Sequence, residues 1–155
     1  MRVGIGYDSH RFAEGKRLVL GGVDIPHPRG LTGHSDADAV AHALTDAMLG
    51  AAGLGDIGAL FPPSDPRWKD ADSLELLRQA CGRLKAAGRR FVQADVTIVL
   101  EQPMLGPHVP RMRERLAGAL GAEAAAISVK AKTNEGMGWI GRGEGVAVIA
   151  VALVD

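Results

Sequence analysis

The first ten residues have the pattern of a short β-strand that ends in polar side chains. The run from Met1 to Tyr7 is largely apolar, and Asp8 and His10 follow it two positions apart. Side chains at alternate positions of a strand point to the same face of a sheet. We therefore predict that the Asp8 carboxylate and the His10 imidazole lie side by side and can share one ion.

Between residues 36 and 49 the apolar residues recur with the period of an α-helix. The apolar stripe consists of Val40, Ala43, Leu44, Ala47 and Met48. His42 falls on the opposite, polar face, with Asp38 and Asp46 one turn to either side. We predict that Ser35 caps this helix and that Asp36 and Asp38 lie in its first turn. Asp38 and Asp46 are expected to orient the His42 ring through its second nitrogen.

The remaining pattern alternates strands and helices. Strands are predicted at residues 17–20, 23–25, 91–100, 127–132 and 144–154, and helices at residues 73–87 and 108–120. Gly21-Gly22 joins the first two of these strands as a hairpin. We predict an α/β fold of the α+β sandwich type, a mixed β-sheet with helices packed on one face, in a single domain of residues 1–155.

The pattern of the last predicted strand indicates an oligomeric assembly. Residues 146–154 are apolar at every position, so both faces of this strand are expected to be buried. Helices on one side of the sheet cover only one face. Closing several sheets around an axis would bury the other, which favours a homo-oligomer.

Composition limits the classes of protein that fit. The 155 residues are 46% hydrophobic and carry 18 basic and 18 acidic side chains, so no nucleic acid or anionic membrane is expected as a partner. No apolar stretch reaches transmembrane length and the first residues lack a signal-peptide pattern. The single Cys81 excludes an intramolecular disulfide and is expected to pack in the interior. We expect a cytoplasmic enzyme.

Two imidazoles and one carboxylate are the ligand types of an open metal site. Asp8, His10 and His42 suit Zn²⁺ with a fourth position left for water or substrate. The same ligand types also suit iron or manganese. Because an Asp-x-His pair is common, the alternative is that these three residues are separate surface groups.

A second polar cluster follows the strand predicted at residues 127–132. Residues 130–136 contain two lysines, a threonine, an asparagine and Glu135. Lysine, threonine and backbone N–H groups bind phosphate oxygens, and one carboxylate can hold Mg²⁺ across two phosphates. The cluster predicts a diphosphate site, and its alternative is an ordinary polar turn after a strand.

Two glycine patterns do not indicate a nucleotide fold. Gly4-Ile5-Gly6 is followed by Ser9 where the dinucleotide fingerprint has its third glycine, and no Walker sequence occurs. The glycines of residues 141–145 favour a tight turn or a close backbone approach, with Arg142 as an anion partner.

Six motifs carry a resemblance to one known family. They are Gly6-Tyr7-Asp8-Ser9-His10, His34-Ser35-Asp36-Ala37-Asp38, His42-Ala43-Leu44-Thr45-Asp46, Gly55-Asp56-Ile57-Gly58, Phe61-Pro62 with Asp65, and Gly141-Arg142-Gly143-Glu144-Gly145. Taken in this order, they span essentially the whole chain. The sequence resembles the 2-C-methyl-D-erythritol 2,4-cyclodiphosphate synthase family.

The resemblance implies a lyase of the non-mevalonate isoprenoid pathway. Its substrate is 4-diphosphocytidyl-2-C-methyl-D-erythritol 2-phosphate, whose 2-phosphate attacks the β-phosphate, closes a cyclodiphosphate and releases CMP. By the same resemblance, Asp8, His10 and His42 hold one Zn²⁺. Glu135 holds Mg²⁺ or Mn²⁺, and His34 and Thr133 stabilise the transition state.

The resemblance also implies a set of substrate-binding residues. The methylerythritol and 2-phosphate pocket would comprise Ser35, Asp56, Ile57, Gly58, Phe61, Pro62, Pro63, Ser64 and Asp65. The cytidine loop would comprise Leu100, Glu101, Gln102, Pro103, Met104, Leu105 and Gly106. Further contacts would come from Lys132, Asn134, Trp139 and Arg142. Met104 replaces a lysine that many family members carry, and Lys132 stands where the family often has threonine, so we predict that Lys132 compensates.

The resemblance also implies a homotrimer, with active sites between subunits and sheets that face a three-fold axis. Gly4, Gly6, Tyr7, Trp139, Arg142 and Glu144 would lie near that axis. Arg142 would bind an isoprenoid diphosphate in a central cavity. Two alternatives stay open on the residues alone: a metal-dependent phosphohydrolase, and a non-catalytic oligomeric protein that binds metal and phosphate.

Overall fold

Seven strands and five α-helices follow one another along the chain. The computed structural model describes residues 1–155. The strands are β1 (Arg2–Glu14), β2 (Leu18–Leu20), β3 (Val23–Ile25), β4 (Arg29–Leu31), β5 (Phe91–Val99), β6 (Ile127–Lys132) and β7 (Gly145–Val154). The helices are α1 (Ala39–Ala52), α2 (Ile57–Leu60), α3 (Ser73–Ala86), α4 (Val109–Leu120) and α5 (Gly138–Gly141). None of them has both the length and the apolar character that crossing a bilayer requires.

Five strands form one mixed sheet, as the sequence predicts. Its order is β4-β1-β7-β5-β6, with β5 and β6 parallel and the other neighbours antiparallel. Strands β2 and β3 form the predicted hairpin across Gly21-Gly22. Strand β4 was missed, because the residues before it, Pro26-His27-Pro28, read as a chain break and the strand is only three residues long.

Helix α1 packs so closely on β1 that two positions of the strand must be glycine. A Cβ at Gly6 would stand 1.9 Å from the Ala43 carbonyl oxygen, and one at Gly4 would stand 2.1 Å from that of Ala47. Only a residue without a Cβ allows the two backbones to come this near. Gly4 and Gly6 therefore face α1, and their predicted closeness to an oligomer axis stays a prediction.

The start of α1 differs from the prediction. The helix begins at Ala39, and its cap is Asp38, whose carboxylate accepts the backbone N–H groups of Val40 and Ala41. The same carboxylate accepts N–H groups of the hairpin residues Gly21 and Gly22. Ser35 is not the cap, because only the buried Asp38 can satisfy the helix start and the hairpin together. Burial raises the pKa of Asp38 to about 6, and the nearby charge of Asp36 adds to this shift.

The outer face of the sheet is apolar and exposed. On the helix side, β7 buries Val146, Val148, Ala150, Ala152 and Val154 in a core that contains 37 buried residues. On the outer side, Ile149 and Val151 are exposed and pair with Tyr7 and Ile5, which are exposed as well. The prediction that both faces of β7 are buried is therefore not met within one chain.

Candidate metal centre and substrate pockets

Asp8, His10 and His42 converge as the sequence predicts. Asp8 and His10 point from the same face of β1 toward α1, which carries His42. Their side chains form a triangle in which Asp8 Oδ2 lies 2.9 Å from His10 Nε2 and 3.1 Å from His42 Nδ1. The two ring nitrogens lie 3.3 Å apart. We call this group the metal triangle.

The donor set of the metal triangle fits a bound cation. His10 Nδ1 lies 2.7 Å from the Thr32 carbonyl oxygen, which only accepts, so this nitrogen carries the proton of the neutral ring. The lone pair of Nε2 then points at the Asp8 carboxylate, an arrangement that a metal ion between them or a second proton on the ring would stabilise. Ligands on one tetrahedral Zn²⁺ at 2.0–2.1 Å stand about 3.4 Å apart, close to the observed spacing.

Electrostatics within the metal triangle favour an ionised Asp8. Burial by itself raises the pKa of this carboxyl, but its hydrogen bonds to His10 and His42 and their charge outweigh burial and lower the pKa to about 2. For His10, burial lowers the pKa, while the hydrogen bond to Asp8, its charge and the Thr32 carbonyl together raise the pKa above its ordinary value. A ring proton and a bound cation would therefore compete for the same place beside the Asp8 carboxylate.

The carboxylates expected to orient His42 are engaged elsewhere. Asp38 caps α1 and the hairpin, and Asp46 accepts the backbone N–H of Ile57 at 2.7 Å. This corrects the prediction that they contact the ring, since helical spacing alone ignores competition from nearby N–H groups. Instead, His42 Nε2 lies 2.8 Å from Ser73 Oγ and 3.0 Å from Ser35 Oγ. Ser73, which opens α3, gave no signal in the sequence.

A pocket of about 200 Å³ opens beside the metal triangle, and we call it the proximal pocket. Its walls are His10, His34, Ser35, His42, Ile57, Gly58, Phe61, Pro63, Trp68 and Leu76. It brings together predicted zinc-ligand, catalytic and substrate-binding residues from distant parts of the chain. Sequence reasoning missed Trp68 and Leu76. Trp68 had a detectable signal, because an aromatic side chain stands next to the predicted segment 56–65.

Other residues predicted for this pocket do not form its walls. They are Asp56, Pro62, Ser64 and Asp65. Asp56 caps α2 by accepting the N–H of Ala59. Asp65 caps the 3₁₀ turn Pro66–Trp68 and is paired with Arg67, whose hydrogen bonds lower the pKa of that carboxyl. The two aspartates therefore shape the loop around the pocket.

A second pocket, of about 300 Å³, lies where β5 and β6 end, and we call it the distal pocket. Its walls are Leu100, Glu101, Pro103, Met104, Leu105, Gly106, Val109, Ala131, Lys132 and Thr133. Most of the predicted cytidine loop is present, together with Thr133, while Gln102 and Asn134 stand outside. The Met104 side chain is 79% exposed, and Lys132 forms no ion pair with any carboxylate.

The turn after β6 is held by a carboxylate from the cytidine loop. Glu101 Oε1 accepts the backbone N–H of Asn134 at 2.8 Å and that of Gly136 at 3.4 Å. Between them, Glu135 adopts a left-handed conformation with φ 52°, and its carboxylate accepts the Thr133 hydroxyl at 3.3 Å. Glu101 thus connects the two segments of the distal pocket.

The metal triangle and the end of β6 are separated along the sheet of one chain. In the sheet, Asp8 of β1 pairs with Val148 of β7, Val148 pairs with Ile98 of β5, and Ile98 pairs with Ala131 of β6. Three strand spacings therefore separate the metal triangle from the end of β6. At 4.7–4.9 Å per spacing this is about 14 Å. One diphosphate cannot bridge that distance.

Trp139 lies near His10 of β1, and Arg142 is connected to the same region through Glu144. Trp139 and Glu144 form a pocket of about 290 Å³ with Ser9, His10 and Arg11. Arg142 is exposed and its Nε donates to Glu144 at 2.6 Å. Gly141 makes the close backbone approach that was predicted, because a Cβ there would stand 2.0 Å from the Gly136 carbonyl carbon.

Comparison with known proteins gives a match over the full length of the chain. A model of the YgbB family matches residues 1–155. A curated relative from Symbiobacterium thermophilum, 2-C-methyl-D-erythritol 2,4-cyclodiphosphate synthase, is 58% identical over 154 residues, covering 99% of this chain and 98% of the relative.

Two solved structures show the same fold. A 2C-methyl-D-erythritol-2,4-cyclodiphosphate synthase in a CDP-bound form is 44% identical with a TM-score of 0.91, covering 99% of this chain and 100% of the other. The bifunctional IspDF from Campylobacter jejuni is 42% identical with a TM-score of 0.95, and this chain spans only 42% of its length. The match over its full length places the chain in the YgbB family.

Proposed function

We propose that the chain converts 4-diphosphocytidyl-2-C-methyl-D-erythritol 2-phosphate into 2-C-methyl-D-erythritol 2,4-cyclodiphosphate and CMP. The observation that carries the proposal is the metal triangle at the mouth of the proximal pocket, where His34 and Ser35 also lie. The full-length relative named as this synthase supports the same reaction. The protein would act in non-mevalonate isoprenoid biosynthesis.

The metals of this reaction have residues suited to hold them. Asp8, His10 and His42 would hold Zn²⁺, and Glu135 would hold Mg²⁺ or Mn²⁺ together with the substrate diphosphate. Bound there, these ions would supply Lewis acidity and neutralise phosphate charge. The donor geometry of the metal triangle supports the first assignment, and the exposed carboxylate in the left-handed turn supports the second.

The chemistry is an intramolecular phosphoryl transfer. An oxygen of the 2-phosphate forms a bond to the β-phosphorus while the bond from that phosphorus to the CMP oxygen breaks, and CMP leaves with the electron pair. No covalent nucleophile is required, so the work of the protein is alignment and charge stabilisation. His34, which lines the proximal pocket, and Thr133, which lines the distal pocket, would contact the reacting phosphates.

The distal pocket would bind the cytidine part of the substrate. Leu100, Leu105 and Val109 supply apolar surface for a base, and the backbone of residues 100–106 supplies hydrogen-bonding groups. CDP in the related solved structure supports a cytidine nucleotide ligand. Lys132, without a carboxylate partner, would provide the phosphate contact that Met104 cannot make.

The reaction needs both pockets, and we propose that a homotrimer unites them. The proximal pocket of each chain would lie against the distal pocket of a neighbour. The substrate would then not have to span the separation of about 14 Å within one chain. The exposed outer strip formed by Val3, Ile5, Tyr7, Ile149 and Val151 supports this assembly, because a patch of that kind is usually covered by a partner. The sheets would then face the three-fold axis.

A ligand at that axis is a separate prediction. Arg142 would bind an isoprenoid diphosphate, although its guanidinium is shared with Glu144 in the single chain. Equilibrium binding of an isoprenoid diphosphate to the wild type and to Arg142→Ala tests it. Equal affinity in the two proteins contradicts the prediction.

One incubation separates the candidate functions. The purified protein is mixed with the cytidylyl substrate, Zn²⁺ and Mg²⁺, and the products are identified by ³¹P NMR and mass spectrometry. CMP together with the cyclodiphosphate is the expected result. Free inorganic phosphate would indicate a phosphohydrolase, and absence of turnover in a zinc-loaded oligomer would indicate a non-catalytic binding protein.

A further inference from the structure

The buried hydroxyl of Ser73 connects the metal triangle to a carboxylate that has no role in the proposed reaction. Ser73 is the first residue of α3 and is 1% exposed. Its Oγ lies 2.8 Å from His42 Nε2 and donates a hydrogen bond to Asp36 Oδ1. Asp36 is also fastened by the backbone N–H groups of Ser73 at 3.0 Å and Asp38 at 3.1 Å.

The direction of these hydrogen bonds follows from the chemistry of the partners. An ionised carboxylate only accepts, so the Ser73 hydroxyl gives its one proton to Asp36. The oxygen of Ser73 is then left with lone pairs, and the hydrogen bond to His42 must be donated by Nε2–H. A neutral imidazole carries one proton, so Nδ1 is left bare. Nδ1 is the nitrogen that faces Asp8 and His10.

Ser35 offers the opposite tautomer at the same nitrogen. Its Oγ lies 3.0 Å from His42 Nε2 and accepts the Ala37 N–H at 3.3 Å, and no carboxylate holds its proton. If Ser35 donated to Nε2, the ring proton would sit on Nδ1, and that nitrogen could not bind a metal. The carboxylate behind Ser73 decides between the two tautomers.

We propose that Asp36 and Ser73 are positioning residues of the metal centre, which fix the His42 ring and keep its Nδ1 free to bind the metal. The inference rests on the proposed function, because it requires His42 to be a metal ligand. The inference gives Asp36 and Ser73 the role of orienting the His42 ring, which the sequence had suggested for Asp38 and Asp46. We call the hydrogen-bonded series Asp36, Ser73 and His42 the relay. Asp36 lies before α1 and Ser73 lies at the start of α3, so the relay forms only in the folded chain.

The test measures zinc affinity by competition with a chromogenic chelator, which does not depend on activity. Ser73→Ala keeps the backbone and removes the hydroxyl, and we expect its zinc affinity to fall by about 10 to 100-fold. Ser73→Thr restores a hydroxyl and should recover most of the affinity. Asp72→Ala is the matched control, since Asp72 caps the same helix by accepting the Leu74 N–H and does not touch His42. It should lower Tm but leave zinc affinity unchanged.

A spectroscopic signature distinguishes orientation from a general structural effect. In ¹⁵N-labelled zinc-loaded wild type, the His42 Nε2–H proton should be observable because Ser73 protects it from exchange with water. In Ser73→Ala this proton should exchange faster while the amide spectrum stays that of a folded protein.

Three results would overturn the relay. A wild-type zinc affinity in Ser73→Ala would contradict the relay and leave the proposed function unaffected. Equal losses of zinc affinity in Ser73→Ala and Asp72→Ala would show that the helix start, not the hydroxyl, is responsible. A wild type that binds no zinc would overturn both the relay and the proposed metal centre. Should Ser73→Thr fail to fold, the comparison of Ser73→Ala with Asp72→Ala still decides.

Discussion

The metal triangle and the distal pocket are built in contrasting ways. The side chains of the metal triangle come from the middle of β1 and the first turn of α1 and are only 14–25% exposed. The distal pocket is made by two turns at the sheet edge, with Met104 largely exposed and Glu101 as its internal fastening. The first region is preorganised within one chain. The second has one open side, which a neighbouring subunit and the substrate would complete.

The largest effect is expected where the preorganised region is broken. His42→Ala removes one metal ligand but keeps a good helix former on α1, so the protein should remain folded. We expect loss of bound zinc and a fall in CMP release on the order of 10³-fold. Zinc content by elemental analysis, circular dichroism and turnover check this. Full zinc occupancy in the variant would refute the ligand assignment.

The next effect concerns the subunit contacts that would complete the distal pocket. Ile5→Glu places a charge on the outer strip, where Ile5 is exposed in the single chain, so the fold should survive. Burying that charge between subunits costs several kcal/mol, which corresponds to at least about 100-fold weaker association. We expect monomers in sedimentation and a parallel loss of activity.

Gln79→Glu is the matched control, because it adds a charge to the exposed surface of α3. It should leave both the assembly and the turnover unchanged. A fully active Ile5→Glu monomer would contradict the shared site.

Close packing of β1 on α1 is expected to matter to the metal centre as well as to stability. In Gly6→Ala the new Cβ meets the Ala43 carbonyl, next to His42, and the strand must move from the helix. We expect the free energy of unfolding to fall by about 1–3 kcal/mol and zinc to bind more weakly. Gly50→Ala, in the same helix but with nothing within 4 Å of its Cβ, should instead gain up to about 1 kcal/mol. Denaturant titration of both variants tests the contrast.

A smaller effect is expected at Glu101, whose carboxylate holds the turn beside the distal pocket. Glu101→Ala removes the acceptor for the N–H groups of Asn134 and Gly136 and should loosen the turn that carries Glu135. Hydrogen bonds to a charged group contribute about 1.5–3 kcal/mol, so an increase in KM of about 10-fold is expected. Glu101→Gln keeps an accepting oxygen and should retain most of the affinity. Equal KM values for Glu101→Ala and the wild type would show that the turn holds itself.

The smallest effect is expected at Lys132. Lys132→Thr removes the unpaired ammonium from the distal pocket, and we expect KM to rise a few-fold, as for an exposed phosphate contact of about 1 kcal/mol. Lys85→Thr on α3 removes an equal charge away from the pockets and serves as the control. An unchanged KM in Lys132→Thr would count against compensation for Met104.

Much of the fold could be predicted because local patterns express it directly. Strand β6 and the hairpin strand β3 have the predicted bounds, and α3 differs by one residue at its end. The Asp8, His10 and His42 convergence was accessible for the same reason, since strand alternation and helix periodicity state which side chains share a face. Strand β4 and helix α2 were not accessible, because they are only three and four residues long and lack a neighbouring turn signal such as the Gly21-Gly22 hairpin that marked β3.

The sequence by itself determined most strands and helices, the shared face of Asp8 and His10, and the two polar segments, since each depends on spacing along one element or on a recognisable motif. Only the tertiary structure decided which donors each carboxylate meets. Asp38 was diverted to the hairpin and the start of α1, and Asp36 reached Ser73 and, through it, His42. Hydrogen-bond partners that are far apart in the chain are chosen by packing, because a buried acceptor binds whichever donors the fold brings within about 3 Å.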